Sequence, residues 1–203
     1  MSVQTTPKRR LLLMATLATL AGCASPPPAR VTVAAAANEL RFLVFRGGTA
    51  ARLGHNHVLR AGDLRVGWPA AGPVLSFRLD ALDTDPQSVR DQLGPAFASA
   101  VDNEARAGTR ANLLKALEAA VHPEVVVRTL QLLGEGDRRA VEAEITLHGV
   151  TRRQWFVVEL AAKRARGEVV IRQSDFGIQP FTVLGGLLAV QDALVVQFDL
   201  VEP

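Results

Sequence analysis

From Leu40 to the C-terminus, apolar residues return at every second position in one run after another, and glycine- or proline-bearing turns separate the runs. Period two marks a pleated strand with one face buried, and short turns leave neighbouring strands antiparallel. Leu40-Arg41-Phe42-Leu43-Val44-Phe45 is the first run, ahead of Gly47-Gly48. Leu64, Val66 and Trp68 alternate up to the turn Pro69-Ala70-Ala71-Gly72-Pro73, after which Leu75, Phe77 and Leu79 resume. Residues 124–133 and 139–148 flank Gly134-Glu135-Gly136-Asp137, and 154–162 and 168–173 flank Lys163-Arg164-Ala165-Arg166-Gly167. Both are hairpin signals. The last strand, 193–201, sets Leu194, Val196, Phe198 and Leu200 on one face. About eight strands in an antiparallel meander follow.

The alternation lapses between Pro86 and Pro123. Thr109 has the chemistry of a helix N-cap, and Leu113, Leu114, Leu117, Ala120 and Val121 form an apolar stripe behind it. Pro123 ends that helix by forcing His122 toward extended backbone. A shorter helix is expected from Ser88 to about Ala100, so one or two helices interrupt the strands around residues 88–121.

Several strands are apolar on both faces, among them Val125-Val126-Val127, Val157-Val158, Val169-Val170-Ile171 and Val195-Val196. Such strands need two burials: one inside a closed sheet, the other against the helix or against a partner chain, as in a homodimer. Closing about eight strands gives a barrel whose interior is filled or holds one small ligand. The expected fold class is therefore mainly β, an antiparallel barrel with a helical insertion. The chain has 8 Phe, 2 Trp and no Tyr. Walls built mostly of Val, Leu and Ala leave room for an apolar cavity.

Residues 1–22 read as a targeting segment, with Lys8, Arg9 and Arg10 ahead of an apolar stretch from Leu11 to Ala21 that is short for a membrane span. Leu20-Ala21-Gly22-Cys23 resembles a bacterial lipobox, which implies acylation of Cys23, a palmitate-type membrane anchor and a periplasmic protein. Ala24 in place of an aspartate favours the outer membrane. Residues 23–38 carry Pro26, Pro27 and Pro28 and read as a tether, leaving 39–203 as one barrel domain. Cys23 is the single cysteine, so no internal disulfide can form. The formal charge is +3, from 23 basic and 20 acidic residues. Loss of Lys8, Arg9 and Arg10 with the targeting segment leaves 20 against 20, which removes the electrostatic case for nucleic acid or an anionic surface.

The polar residues that stand out are histidines. Read as a strand, Leu53-Gly54-His55-Asn56-His57-Val58-Leu59 puts Leu53, His55, His57 and Leu59 on one face. Two imidazoles on an apolar face are hydrogen-bonded structural groups, polar handles in a pocket, or, with His148 or a carboxylate as a third ligand, a metal site. The remaining histidine, His122, precedes a proline. Asp175 beside Phe176-Gly177 suits a shaped loop, with Arg110 and Arg152 as partners for Asp175 or Glu124. No free thiol remains after acylation, and neither a G-x-S-x-G elbow nor a phosphate-cradling glycine loop occurs. A binding protein is therefore the leading class, ahead of a metal- or redox-linked enzyme and a structural lipoprotein with a filled core.

Five short segments in order carry a family resemblance: Gly54-His55-Asn56-His57, Thr109-Arg110-Ala111-Asn112-Leu113, Pro123-Glu124-Val125, Leu147-His148-Gly149-Val150-Thr151-Arg152 and Ser174-Asp175-Phe176-Gly177-Ile178-Gln179-Pro180. Together they resemble the YceI-like family from about Leu40 to the C-terminus. The resemblance implies a lipocalin-like antiparallel barrel, extracytoplasmic, with a tunnel that holds a polyisoprenoid or a ubiquinone-like lipid. A membrane anchor departs from the secreted form usual in such proteins and favours capture at one membrane over shuttling. Under that reading His55, His57, His148 and Arg152 are candidates for headgroup contact. Phe42, Phe45, Phe77, Leu113, Leu117, Trp155, Phe176 and Phe198 are candidates for the wall.

Overall fold

The computed structural model describes Met1 and residues 38–203. The expected targeting segment, Cys23 and the tether up to Ala37 lie outside the described residues. Among the described residues eleven strands occur in chain order: β1 (Glu39–Gly47), β2 (His57–Ala61), β3 (Arg65–Gly67), β4 (Val74–Arg78), β5 (Leu82–Thr84), β6 (Glu124–Leu133), β7 (Arg138–Leu147), β8 (Val150–Ala161), β9 (Arg164–Arg172), β10 (Thr182–Val183) and β11 (Leu188–Val201). Two α-helices, α1 (Gln87–Arg90) and α2 (Asn103–Ala116), lie between β5 and β6.

The strands form one sheet in the order β3-β4-β6-β7-β8-β9-β11-β1-β2-β5, with β10 beside β11. Its two ends are not free edges. β4 runs into β5 through a single 3-10 turn at Leu79–Ala81, and β2 leads into β3 across three residues. On one side of this bend Leu59 pairs with Thr84 and Ala61 with Leu82; on the other, Arg65 pairs with Ser76 and Gly67 with Val74. β2/β3 is thus one bent strand and β4/β5 its bent partner, and the hairpin between them curls the sheet back on itself. Counted this way the barrel has about eight staves, which removes exposed edges.

The bend is secured by named contacts. The Gly62 amide donates to the Ala81 carbonyl at 3.1 Å, and the Arg78 amide donates to Asp63 Oδ1 at 2.9 Å. A Cβ at position 62 would sit 2.5 Å from the Ala81 carbonyl oxygen, so this approach requires glycine. From α2, Arg110 donates to the Leu82 carbonyl at 2.6 Å and to the Asp80 carbonyl. Its guanidinium therefore pins the helix to the bend and does not pair with Asp175 or Glu124.

Inward residues of the staves form the main apolar cluster, from Leu40 and Leu59 through Phe77, Val141, Ile145 and Val169 to Leu200. A second, smaller cluster lies outside the barrel, where Val89 and Phe97 of the insertion cover Leu43 and Val58, with Phe45, Leu93 and Val195 packed against them. This accounts for strands apolar on both faces at β1, β2 and β11. On β8 and β9 the outer apolar residues are uncovered: Trp155, Val157 and Val170 are about half exposed.

The insertion departs from expectation at three points. Helix α2 begins earlier, capped by Asp102, whose Oδ1 accepts from the Ala105 amide at 2.8 Å, so Thr109 lies inside the helix. It ends at Ala116, and the chain turns at Glu118 in the left-handed region (φ 46°), short of the stop expected at Pro123. The stretch from Ser88 to Ala100 is not one helix. Gly94 at φ 75° followed by Pro95 breaks it into α1 and a 3-10 turn at Pro95–Phe97.

Candidate functional site

The barrel interior is not packed solid. It encloses a cavity of about 240 Å³ walled by alternate residues of every stave and by one face of α2. Phe42, Phe77 and Phe198 line it together with Phe156, Phe181 and a majority of Leu, Val, Ile and Ala. Phe42 meets Phe77 at 5.4 Å between ring centroids, and Phe156 meets Phe198 at 5.9 Å, edge to face. Helix α2 contributes Thr109, Asn112, Leu113 and Ala116, and Leu117, which caps its C-terminus, joins them. Because Asn112 is exposed and also lines the cavity, the space reaches the surface beside α2.

Five lining residues are polar: His57, Thr109, Asn112, Thr129 and Gln173. Thr129 is already used, its hydroxyl donating to the Pro73 carbonyl at 2.8 Å near the far end. The other four gather at the helix-covered end, where β2 starts, β9 finishes and Arg110 holds α2. The cavity is therefore a polar-tipped apolar hollow, the form that suits a lipid with one small polar end.

His57 is the best-defined of these groups. Its Nδ1 lies 2.6 Å from Asp85 Oδ2, and the imidazole is 17% exposed. Asp85 is wholly buried and follows β5 in the left-handed region (φ 52°), a conformation Asp tolerates better than most residues. Its amide donates to the Val58 carbonyl at 2.8 Å, and its Oδ1 accepts from the Val58 amide at 3.0 Å. Arg90, 2% exposed, donates to Asp85 Oδ1 at 2.5 Å, to the Asn56 carbonyl at 2.9 Å, and to the Phe97 and Ser99 carbonyls at 2.8 and 2.9 Å. Burial pushes the Asp85 carboxyl up, but the hydrogen bond and charge of His57, the Val58 amide and the Arg90 guanidinium outweigh it. The net result is a carboxyl held below its usual range, hence a carboxylate. This chain of contacts fixes the His57 ring at the polar end of the cavity.

The remaining polar candidates do other work. Leu53 closes a 3-10 turn and is 70% exposed, and β2 starts only at His57, so the expected strand from Leu53 to Leu59 does not form. His55 consequently turns away from the cavity and bonds the Ser99 hydroxyl at 3.1 Å. His148 is not in a strand. With Gly149 it makes the left-handed turn joining β7 to β8 (φ 54° and 72°), and its Nδ1 lies 3.1 Å from the Phe176 carbonyl. Its ring packs against His122 with ring centroids 5.3 Å apart. Among the described residues no group of three or more His, Cys, Asp or Glu is placed to hold a metal. The metal alternative built on His55, His57 and His148 therefore lacks its geometry.

Arg152 and His148 belong to a seam in the barrel wall. β8 and β9 are paired only over Val158–Ala161 and Arg164–Gly167. Beyond that the ladder opens and the 3-10 turn Gln173–Phe176 fills the gap, with Phe176 1% exposed. Unpaired carbonyls along the gap find side-chain donors: Gln154 to Val170 at 2.6 Å and Arg152 to Asp175 at 2.9 Å, beside His148 on Phe176. Arg152 is exposed on this seam and does not line the cavity.

Among the wall candidates, Phe42, Phe77, Leu113, Leu117 and Phe198 line the cavity. Phe45 does not; it packs on Phe97 outside the barrel at 5.8 Å. Trp155 points outward and is 48% exposed, and Phe176 plugs the seam within the core. The network partners Asp85 and Arg90, and the lining group Gln173, had no sequence signal of their own, while Asn112 stood inside the segment Thr109-Arg110-Ala111-Asn112-Leu113 without being singled out. A carboxylate before a proline, five residues ahead of an arginine, is an ordinary helix-start pattern.

A search among curated proteins found no match. Among solved structures, the fold is similar to Burkholderia cenocepacia BcnA, with a TM-score of 0.50 at 13% identity, covering 82% of this chain and 96% of that one. At that identity the likeness concerns the fold alone. The Campylobacter jejuni YCEI protein aligns with a TM-score of 0.44 at 12% identity, over 71% of this chain and 84% of its own. A family model described as the YceI-like domain matches residues 76–201, from β4 to the end of β11 and over half of the 203 residues. The barrel, the seam built by its motifs and this match agree: the chain belongs to the YceI-like domain family.

Proposed function

We propose that this protein is a binding protein for an apolar chain-like lipid, a polyisoprenoid or quinone-type tail, held inside the barrel with its polar end beside His57. The observation that carries the reading is the hollow itself: an apolar cavity of about 240 Å³ with its free polar groups confined to one end. A cavity of roughly 150 Å³ houses one benzene, so this one takes on the order of ten carbons as it stands. A longer tail occupies it by spreading the wall beside α2 or by leaving part of its length outside. Each buried methylene contributes about 0.8 kcal/mol, which offsets the cost of immobilising the ligand only when most of the cavity is filled. The sequence before residue 38 supports a periplasmic protein acylated at Cys23, favouring the outer membrane, so that capture takes place at the anchoring membrane.

The test is organic extraction of full-length protein purified from its native membrane without detergent exchange, followed by mass spectrometry. The expected result is one long-chain isoprenoid per protein. Ligand-free protein, or only the phospholipids of bulk membrane, refutes the reading.

A further inference from the structure

The two ends of the barrel differ in chemistry. Where β1 and β9 start and β11 finishes, the surface is charged and paired: Arg164 and Arg166 both donate to Asp199, and Lys163 donates to the Pro203 carbonyl at 2.9 Å. The other end carries exposed apolar side chains. There the hairpin of β10 and β11 turns through Leu184-Gly185-Gly186-Leu187, with φ 53°, 65° and 89° at the first three. Left-handed backbone suits the glycines but not a leucine, and Leu184 is 71% exposed, so no core contact offsets the strain. Val183 and Leu187 are exposed beside it, as is Leu53 on the neighbouring 3-10 turn Ala51–Leu53. The two turns are joined, because the Ala50 amide donates to the Leu187 carbonyl at 2.9 Å. A Cβ on Gly48 would sit 2.5 Å from that same oxygen, so the approach requires glycine.

We propose that this apolar end docks on the phospholipid bilayer that anchors the protein, with Leu53, Leu184 and Leu187 among the acyl chains, so that an apolar ligand passes between bilayer and cavity without crossing water. This deepens the proposed lipid-binding function and rests on it and on acylation of Cys23. Residues 46–54 and 181–191 hold two arginines, Arg46 and Arg52, and no acid. Leucines flanked by long cationic side chains match the boundary of a bilayer, where apolar groups sit below the phosphates and guanidiniums level with them. The hairpin is continuous with the cavity: at its base Phe181 and Val190 line the hollow, joined by the Val190 amide donating to the Phe181 carbonyl at 3.0 Å. The length of chain ahead of β1 permits the contact. Cys23 and Glu39 are sixteen residues apart, a reach of at most about 55 Å. β1 runs nine residues from the charged end to the apolar end, about 30 Å. An anchor at Cys23 therefore lets the apolar end meet the membrane although β1 begins at the opposite end. Val183 and the three leucines are too few for a stable protein interface, which buries on the order of 1,600 Å². They suffice for a surface beside which the anchor already holds the protein.

With Cys23 acylated, an introduced cysteine is the single free thiol. The experiment places full-length acylated protein in phosphatidylcholine vesicles, with the fluorophore NBD attached through Leu184→Cys or, at the charged end, through Glu202→Cys. Both positions are exposed, so neither label disturbs the core. Doxyl groups on the lipid acyl chains are expected to quench the label at 184 roughly twofold or more and to leave the label at 202 unchanged. Adding Leu53→Asp and Leu187→Asp is expected to abolish the quenching. No quenching at 184, equal quenching at both positions, or quenching that survives the two aspartates overturns the inference. So does emission at 184 that rises with protein concentration regardless of doxyl lipid, which points to a second copy on this surface, and so does a protein mass showing Cys23 without acyl chains. Calorimetric titration with geraniol, a small isoprenoid alcohol, reads the cavity separately. Geraniol binding without quenching leaves the proposed function standing and removes this inference; quenching without geraniol binding overturns the proposed function and the passage of ligand with it.

Discussion

Arg90→Met is the substitution that most sharply probes how the insertion is attached to the barrel. Methionine fills much of the same volume but leaves the Asp85 carboxylate without its guanidinium and three backbone carbonyls, of Asn56, Phe97 and Ser99, without a donor. Breaking a buried ion pair from one side costs about 3–5 kcal/mol, against a total stability of about 5–15 kcal/mol for a domain. For a chain of this size a loss of about 4 kcal/mol lowers Tm by roughly 8–16 °C. Circular dichroism melts measure it directly. The control is Arg60→Met, which removes the partner of Asp83 in a pair whose side chains are 42% and 45% exposed; such pairs contribute about 1 kcal/mol or less. Adding Asp85→Asn to Arg90→Met is expected to recover part of the loss, because no unmatched carboxylate remains. If Arg90→Met melts within about 2 °C of wild type, or no lower than Arg60→Met, the network is not what fixes the insertion and His57.

Three further outcomes follow from the same structure. Because the Asp85 carboxyl is held below its ordinary value near 3.9, its contribution to stability is complete above that pH and lost as pH falls through the folded-state value; wild-type Tm should therefore fall more steeply below pH 4 than that of Asp85→Asn, and parallel curves would contradict it. Affinity for unbranched alcohols should rise about fourfold per added carbon, from about 0.8 kcal/mol each, and level off near ten carbons, as read by calorimetric titration; a rise that continues unchanged to sixteen would mean the wall yields freely. Arg152→Ala should lower Tm by a few degrees through the orphaned Asp175 carbonyl and leave geraniol affinity within twofold, since the seam is outside the cavity; a tenfold loss of affinity would return Arg152 to the ligand.

The staves were legible in the sequence where burial is one-sided and turns carry glycine: β7, with Val141, Ala143, Ile145 and Leu147 inward, is a clean period-two run. The closure was not. It depends on Gly62 meeting the Ala81 carbonyl across a bend that looks like two unrelated loops in one dimension. The His55-x-His57 motif misled for a related reason, since strand alternation applies only from His57 onward and the chain before it turns at Ala51–Leu53. Phe45 and Trp155 show the limit of composition: large apolar side chains on a strand occupy either face, and which face is inward is set by closure and by what the insertion covers. Arg152 and His148 were recognisable as motif residues. Their task, supplying donors where β8 and β9 part, becomes visible only with the sheet register in hand.

The central claim is that the barrel is hollow and that the hollow is the binding site, and Ala143→Phe tests it most directly. Ala143 is 1% exposed and lines the cavity in the middle of β7. A phenyl ring there needs roughly the 150 Å³ that houses benzene, most of the space available. The account predicts a variant that melts within a few degrees of wild type, because the ring enters a void, and that binds geraniol at least tenfold more weakly. A folded variant that binds as tightly as wild type, or one destabilised by the roughly 3 kcal/mol of an overpacked solid core, would contradict it.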